Sequence, residues 1–290
     1  MTRFRSAPII GLATLLLAFA SLSACDTTPN QYVALGDSYT SGAGIPANIG
    51  HGCDQSDHSY PFLAHDTLIA AGVAVPTLLD LSCSGATTAD MYQGQVTSDG
   101  TNVPQLDGVN DRSKVVSVGI GGNDIGFSDI LQSCLKVAPV LQADCKPDYV
   151  HDGIDELRDR VDGLAPTIAT LIADIKVRAP SAAVFVVGYP TILPAATGCW
   201  PTVPISNGDV AYLTGIEQYL NAMLQTQAQS NGAFFVDTAT SSIGHDACAG
   251  SAAWVNGVTL DGDGAMFHPN TAGAAHTSGL VAAAIDQQVD

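Results

Sequence analysis

A serine and a histidine occupy positions suited to nucleophilic catalysis. Ser38 follows an apolar run in the segment Gly36-Asp37-Ser38, where a strand-to-helix turn can present a hydroxyl beside backbone N–H groups. His268 precedes Pro269, just outside a predicted helix whose first turn contains that proline. A serine hydroxyl is a weak nucleophile and needs a base within hydrogen-bond reach. Each residue taken alone is a weak signal, and the alternative for Ser38 is that it only caps a helix.

Two glycine-containing turns offer hydrogen-bond donors for the same chemistry. Gly85 lies in Ser82-Cys83-Ser84-Gly85-Ala86-Thr87, and Asn123 lies in Gly121-Gly122-Asn123-Asp124. A backbone N–H and a carboxamide N–H can each donate to a ligand oxygen. A structural role is the alternative for both: Gly85 supplies only a positive φ, and Asn123 only forms a turn.

The apolar runs predict the elements that position these residues. Buried strands are predicted at residues 32–35, 78–81, 114–118, 183–187 and 233–236, and helices at 61–71, 154–177, 210–230 and after Pro269. Strands that alternate with helices form a parallel sheet covered by helices on both faces. Ligand sites in such sheets lie at the carboxyl ends of the strands. Residues 195–209 and 239–264 are predicted to be long loops.

The ordered set of motifs resembles the SGNH/GDSL hydrolase family and is similar to its secreted actinobacterial esterases and lipases. GDS at 36–38, Gly85, GGND at 121–124 and His268 carry the resemblance, which runs from residue 31 to about residue 285. It implies an α/β fold, the flavodoxin-like three-layer α/β/α sandwich with a central parallel sheet. It also implies a serine ester hydrolase in which Ser38 is the nucleophile and His268 the general base. The implied oxyanion hole consists of the Ser38 and Gly85 N–H groups and the Asn123 side chain.

One position departs from the family's pattern. Most members carry Asp three residues before the histidine, where this chain has Ala265. Loss of the acid in a triad lowers turnover by about 10⁴ because the imidazole loses its orientation. We expect a main-chain carbonyl of Ala265 or Met266 to replace it, as in some actinobacterial relatives. Asp261 and Asp263 are the rival partners.

Six cysteines follow the leader, and an even number in an exported chain indicates three disulfides. Number alone allows 15 connectivities. The resemblance implies the sequential pairs Cys53–Cys83, Cys134–Cys145 and Cys199–Cys248. A zinc site is the rival interpretation, but no C-x₂-C pair accompanies a second pair of ligands.

The first 25 residues have the layout of a bacterial export signal. Two arginines precede an apolar stretch shorter than a bilayer span, and Leu22-Ser23-Ala24-Cys25 resembles a lipobox. We expect a lipoprotein signal peptide at 1–24, lipidation at Cys25, a tether at 25–30 and one hydrolase domain at 31–290. The alternative is an ordinary secretory signal cut near Ala24. Either way, the protein is predicted to be exported, anchored to the outer face of the membrane or secreted.

The charge balance excludes some partners. Ten Lys and Arg against 28 Asp and Glu give a net charge of −18 over 290 residues, which excludes a nucleic-acid binder that depends on clustered basic residues. No nucleotide-binding motif is present, so we expect no cofactor and no metal. We expect a monomer that cleaves acyl esters or lipids. The alternatives are a polysaccharide or cell-wall O-acetyl esterase, and an envelope lipoprotein that is a weakly active binding module.

Overall fold

The computed structural model describes residues 1, 31–50, 52–135, 144–258 and 263–289. The predicted leader after Met1, the lipidation site Cys25 and the tether lie outside these residues. Within the described residues, the strands are β1 (Gln31–Gly36), β2 (Thr77–Asp80), β3 (Val96–Thr97), β4 (Gly100–Thr101), β5 (Ser113–Gly119), β6 (Val150–His151), β7 (Ile154–Asp155), β8 (Ala183–Val187) and β9 (Phe234–Val236). The α-helices there are α1 (Ser38–Ser41), α2 (Tyr60–Ala71), α3 (Phe127–Ser133), α4 (Glu156–Arg178), α5 (Asn207–Ser230), α6 (Ala239–Ser242) and α7 (Thr271–Asp286).

Five strands form one parallel sheet in the order β2-β1-β5-β8-β9. Counted along the chain, these strands are numbers 2-1-3-4-5, which is the flavodoxin-like order. Tyr32 in β1 lies between Leu78 of β2 and Val115 of β5. The strand order reverses between β1 and β5, so their carboxyl ends flank the crevice where ligands bind in such sheets. The predicted fold class is confirmed.

Alternating side chains of the central strands contact two separate helical layers. Val33 and Leu35 belong to the hydrophobic cluster that includes residues of α4 and α5, which pack against each other. Tyr32 and Ala34 belong to the opposite cluster, with residues of α2 and α7. Both faces of the sheet are therefore buried, which explains why its strands read as continuous apolar runs.

The helix boundaries follow from capping residues. Asp155 accepts hydrogen bonds from the N–H groups of Leu157 and Arg158 at the start of α4, and Lys176 and Arg178 occupy its last turn. At the C-terminus, Asn270 rather than a residue before Pro269 caps α7, because its side chain accepts from the Gly273 N–H. Pro269 lies before the helix, in a bridge to Val255, so the prediction that it occupies the first turn is wrong.

The six described cysteines form Cys53–Cys83, Cys134–Cys145 and Cys199–Cys248, the three pairs that the resemblance implies. The first links the segment before α2 to the turn after β2. The predicted loops contain short elements, namely α6 and a 3₁₀ turn at Gly250–Ala252. None of the helices in the described part of the chain is long and apolar enough to cross a bilayer.

Candidate active site

Ser38 is the first residue of α1, directly above the carboxyl end of β1. Asp37 is the residue that caps the helix, since its carboxylate accepts from the Tyr39 N–H at 2.9 Å. The alternative role for Ser38 as the N-cap is therefore wrong. The preceding Gly36 has a φ of +152°, and a Cβ there would collide with Thr40 and the Gly119 carbonyl. The turn from strand to helix requires glycine at this position.

His268 lies within hydrogen-bond distance of Ser38. Its Nε2 is 2.7 Å from Ser38 Oγ, and its Nδ1 is 2.8 Å from the main-chain oxygen of Met266. A carbonyl oxygen only accepts hydrogen bonds, so Nδ1 must carry the hydrogen and Nε2 the lone pair that faces the serine. The imidazole is thus in the tautomer that a general base requires.

Because position 265 lacks the usual Asp, the carbonyl of Ala265 or Met266 was expected to accept from His268. The structure places the Met266 carbonyl there. The rival Asp263 instead accepts from the N–H and hydroxyl of Thr271, at 2.9 Å and 2.5 Å. Asp261 lies outside the described residues. The imidazole Nδ1 therefore has a hydrogen-bond acceptor even though position 265 is alanine.

Burial determines the protonation of His268. Removal of the ring from water lowers its pKa below the ordinary value of 6.5, and the hydrogen bond to Met266 opposes this shift. The described surroundings supply no carboxylate that raises the pKa. The imidazole is consequently neutral near pH 7 and able to accept a proton.

Main-chain contacts hold residues 263–270, which we call the histidine loop. The N–H groups of Gly264 and Ala265 donate to the carbonyls of Gly44 and Ala43, each at 2.9 Å. Two side chains from outside the loop add to these contacts: the Asn256 side-chain nitrogen donates to the Asp263 carbonyl and the Tyr39 hydroxyl donates to the Phe267 carbonyl, each at 2.5 Å. The Tyr39 ring also lies 4.7 Å from the His268 ring, centroid to centroid. Tyr39 follows Ser38 in the chain and bonds to the residue before His268, so it connects the two parts of the site.

The turns that contain Gly85 and Asn123 are bonded to each other. The Asn123 side-chain nitrogen donates to the Ala86 carbonyl at 2.8 Å, and the Thr88 N–H donates to the Asp124 carboxylate at 3.0 Å. A carboxamide has two N–H donors, so the second hydrogen of Asn123 remains for a ligand. Gly85 has a φ of +80°, which accounts for glycine at that position whether or not its N–H binds a ligand.

Tyr189 joins the turn that contains Asp37 and Ser38 to the turn that contains Asn123. Its hydroxyl donates to Asp37 Oδ2 at 2.6 Å and accepts from the Gly122 N–H at 2.8 Å. Burial raises the pKa of Asp37 to about 7, although the hydrogen bonds from Tyr189 and the Tyr39 N–H oppose the shift. The sequence interpretation missed Tyr189. It lies two residues beyond β8, at the strand end where ligand sites are expected.

Two cavities flank the Ser38–His268 pair. One is lined by Ser38 and Asn123 together with Phe127, Ile192, Glu217 and Leu220. The other is lined by His268, Tyr39, Ser128, Leu131 and Met266. The first cavity therefore contains Ser38 and Asn123 but not His268, and the second contains His268 but not Ser38, while Tyr39 and Ser128 line both.

Known proteins share this sequence and this fold. A model of the GDSL-like lipase/acylhydrolase family matches residues 34–276. Lipase 2 of Streptomyces coelicolor is 33% identical over 290 residues, covering 94% of this chain and 93% of that protein. An extracellular lipase from Streptomyces rimosus, solved as a crystal structure, has a TM-score of 0.70 at 30% identity over 88% of this chain and 98% of that one. A phospholipase A1 from Streptomyces albidoflavus gives 0.67 at 26% identity, over 89% of this chain and 99% of that one.

Proposed function

Because the chain belongs to the GDSL-like lipase/acylhydrolase family and is an ester-bond hydrolase, we propose that it cleaves carboxylic esters through an acyl-enzyme on Ser38. His268 is the general base in this proposal. The observation that carries it is the distance of 2.7 Å between His268 Nε2 and Ser38 Oγ, in an imidazole whose Nδ1 faces a carbonyl. No sequence signal alone supplies this geometry.

The first half-reaction forms the acyl-enzyme. His268 Nε2 accepts the hydroxyl proton while Ser38 Oγ attacks the ester carbonyl carbon. The resulting oxyanion accepts hydrogen bonds from the second amide hydrogen of Asn123 and from the N–H groups of Ser38 and Gly85. The protonated imidazole then donates its proton to the alkoxide as the C–O bond breaks, and the alcohol leaves.

The second half-reaction releases the acid. A water molecule enters the place of the alcohol, gives a proton to His268 Nε2 and attacks the acyl carbon. The second tetrahedral intermediate collapses when His268 returns that proton to Ser38 Oγ. The free enzyme and a carboxylic acid result, with no net change in protonation of the two side chains.

Hydrolysis of p-nitrophenyl esters from acetate to palmitate tests the proposal. We expect Ser38→Ala to lower kcat/KM by at least about 10⁴-fold, because the nucleophile is removed. Ser59→Ala is the matched control, since Ser59 is also buried and its hydroxyl has no hydrogen-bond partner among the described residues, so activity should change by less than about threefold. Equal activity of Ser38→Ala and the wild type would contradict the mechanism.

The proposal extends to the location of the protein. The three disulfides fit an exported chain, because they persist in oxidising compartments. We infer from Leu22-Ser23-Ala24-Cys25 that a diacylglycerol on Cys25 anchors a monomeric domain of residues 31–290 to the outer face of the membrane. Metabolic labelling with an alkynyl fatty acid tests this, with Cys25→Ser as the control. Label retained in Cys25→Ser, or absent from the wild type, would contradict the anchor.

A further inference from the structure

The two cavities beside Ser38 have different roles in an acyl transfer, and the assignment of those roles rests on the proposed function. His268 must donate its proton to the departing alcohol, so the alcohol lies on the side of the cavity lined by His268. With the carbonyl oxygen against Asn123, as in the proposed mechanism, the cavity that Asn123 shares with Ser38 is left for the acyl group. We call the cavity lined by Ser38 and Asn123 the acyl cavity.

Phe127, Ile192 and Leu220 give the acyl cavity apolar walls, but an acidic side chain also lines it. Glu217 precedes Leu220 by one turn of α5 and is only 2% exposed. Its Oε2 accepts from the Ile192 N–H at 2.9 Å. Its Oε1 is buried and has no hydrogen-bond partner among the described residues.

A purely structural role accounts for only one of these oxygens. The bond from Ile192 holds the segment after β8 against α5, and the neighbouring Asn221 does the same by accepting from the Tyr189 N–H at 2.9 Å. A glutamine would supply the same single acceptor without the cost of burying an acid. The second oxygen of Glu217 is therefore a polar group at the cavity that the fold itself does not use.

The protonation state of Glu217 determines what that oxygen offers. Burial raises its pKa to about 8, the hydrogen bond from Ile192 opposes this, and the nearby Asp246 adds to it. The carboxyl is consequently neutral at pH 7, where it can donate one hydrogen bond as well as accept. A hydroxyl group on a bound acyl chain is a complementary partner for such a group.

We propose that Glu217 is a specificity-determining residue that makes the acyl cavity polar at one point, so that the enzyme favours short acyl groups and hydroxylated acyl groups over long hydrocarbon chains. Oε1 is already shielded from water and unpartnered among the described residues, so a methylene chain that packs against Glu217 gives this oxygen no hydrogen bond and gains less there than it would against an apolar side chain. A short chain avoids that contact, and a hydroxyl group satisfies it.

Two variants of similar side-chain volume test the proposal. We expect Glu217→Leu to raise the ratio of kcat/KM for p-nitrophenyl decanoate to that for the butyrate by about tenfold, equivalent to about 1.4 kcal/mol. Glu217→Gln keeps a polar group and the bond to Ile192, so it should leave the ratio within about threefold of the wild type. An unchanged ratio in a Glu217→Leu protein that unfolds at the wild-type temperature would overturn the proposal.

A second experiment needs no variant. The wild-type enzyme is assayed by pH-stat on ethyl hexanoate and ethyl 6-hydroxyhexanoate, and on the corresponding eight- and ten-carbon pairs. We expect at least one hydroxylated ester to exceed its plain partner about threefold or more in kcat/KM. Plain esters preferred at every length would overturn the role of Glu217 while leaving ester hydrolysis intact. Failure to cleave any ester would instead contradict the proposed function.

Discussion

Side-chain hydrogen bonds join the parts of the nucleophile half of the site, whereas the histidine loop is held mainly by main-chain hydrogen bonds. The nucleophile half consists of Asp37–Tyr39, Gly121–Asn123 and Tyr189, and the Tyr189 hydroxyl bridges Asp37 and Gly122. In the histidine loop, the N–H groups of Gly264 and Ala265 donate to carbonyls of another segment.

The difference indicates which half tolerates substitution. A side-chain hydrogen bond disappears when the residue changes, but a main-chain bond persists as long as the backbone keeps its path. We therefore expect the nucleophile half to depend on the identity of its residues. The histidine loop should depend mainly on His268 itself and on the two side chains, Tyr39 and Asn256, that donate to its backbone carbonyls from outside.

His268→Ala should have the largest effect in the histidine loop, because it removes the base in both half-reactions. We expect kcat/KM for p-nitrophenyl butyrate to fall by at least about 10⁴-fold. His58→Ala is the matched control, since His58 is exposed and contacts Asp57. A loss of less than about tenfold for His268→Ala would show that the observed pair is not the catalytic one.

Asn123→Ala should lower kcat by about 10² to 10³, because one donor to the oxyanion is lost. The change also removes the bond to the Ala86 carbonyl, so thermal unfolding is measured alongside. Asn231→Ala, at the end of α5, is the control for loss of a carboxamide. If kcat is retained, Asn123 is not a donor to the oxyanion. The expectation that the nucleophile half depends on the identity of its residues would then be contradicted.

Tyr39→Phe should lower kcat by about tenfold with little change in KM. The ring against His268 remains, but the hydrogen bond to the Phe267 carbonyl is lost, which corresponds to about 1 kcal/mol of positioning. Steady-state kinetics separate the two constants, and Tyr92→Phe removes an exposed hydroxyl as control. An equal effect on KM would indicate that Tyr39 binds substrate instead of positioning the histidine loop.

Ala265→Asp should have the smallest effect, less than about threefold in kcat/KM, because the Met266 carbonyl already accepts from Nδ1. The pH profile is the sharper measurement. Since burial lowers the pKa of His268, the rising limb of kcat/KM should have its midpoint below 6.5 in the wild type. We expect the same midpoint in the variant. A new carboxylate bonded to the imidazole would raise its pKa and move the limb to higher pH.

Much of the fold was predictable because burial leaves a direct trace in the sequence. The five strands of the sheet coincide with apolar runs, as strands covered on both faces must. The two-residue strands β3, β4, β6 and β7 were not predicted, since such short segments contain no alternation to detect. The helix predicted after Pro269 is α7, but Pro269 was wrongly placed in its first turn, because proline is as suitable before a helix as in that turn.

The site was predictable where motifs mark strand ends and hidden where a long-range contact decides. Ser38 and His268 are 230 residues apart, and only their motifs suggested that they meet. The position of Tyr189, two residues after the end of β8, was a usable signal, because ligand sites are expected at strand ends. Glu217 had a weaker one, as an acid between Ile216 and Leu220 on the buried face of α5. The contact of Tyr39 with the Phe267 carbonyl had none, because a backbone acceptor has no residue type.

The Met266 carbonyl also has an evolutionary consequence. A triad whose acid is a side chain can be disabled by one codon change, whereas every amino acid at position 266 brings its own carbonyl oxygen. Selection at this position acts on the shape of the chain instead of on a functional group. A chain with this arrangement can therefore depart from the family's motif at position 265 and still keep an acceptor for the imidazole.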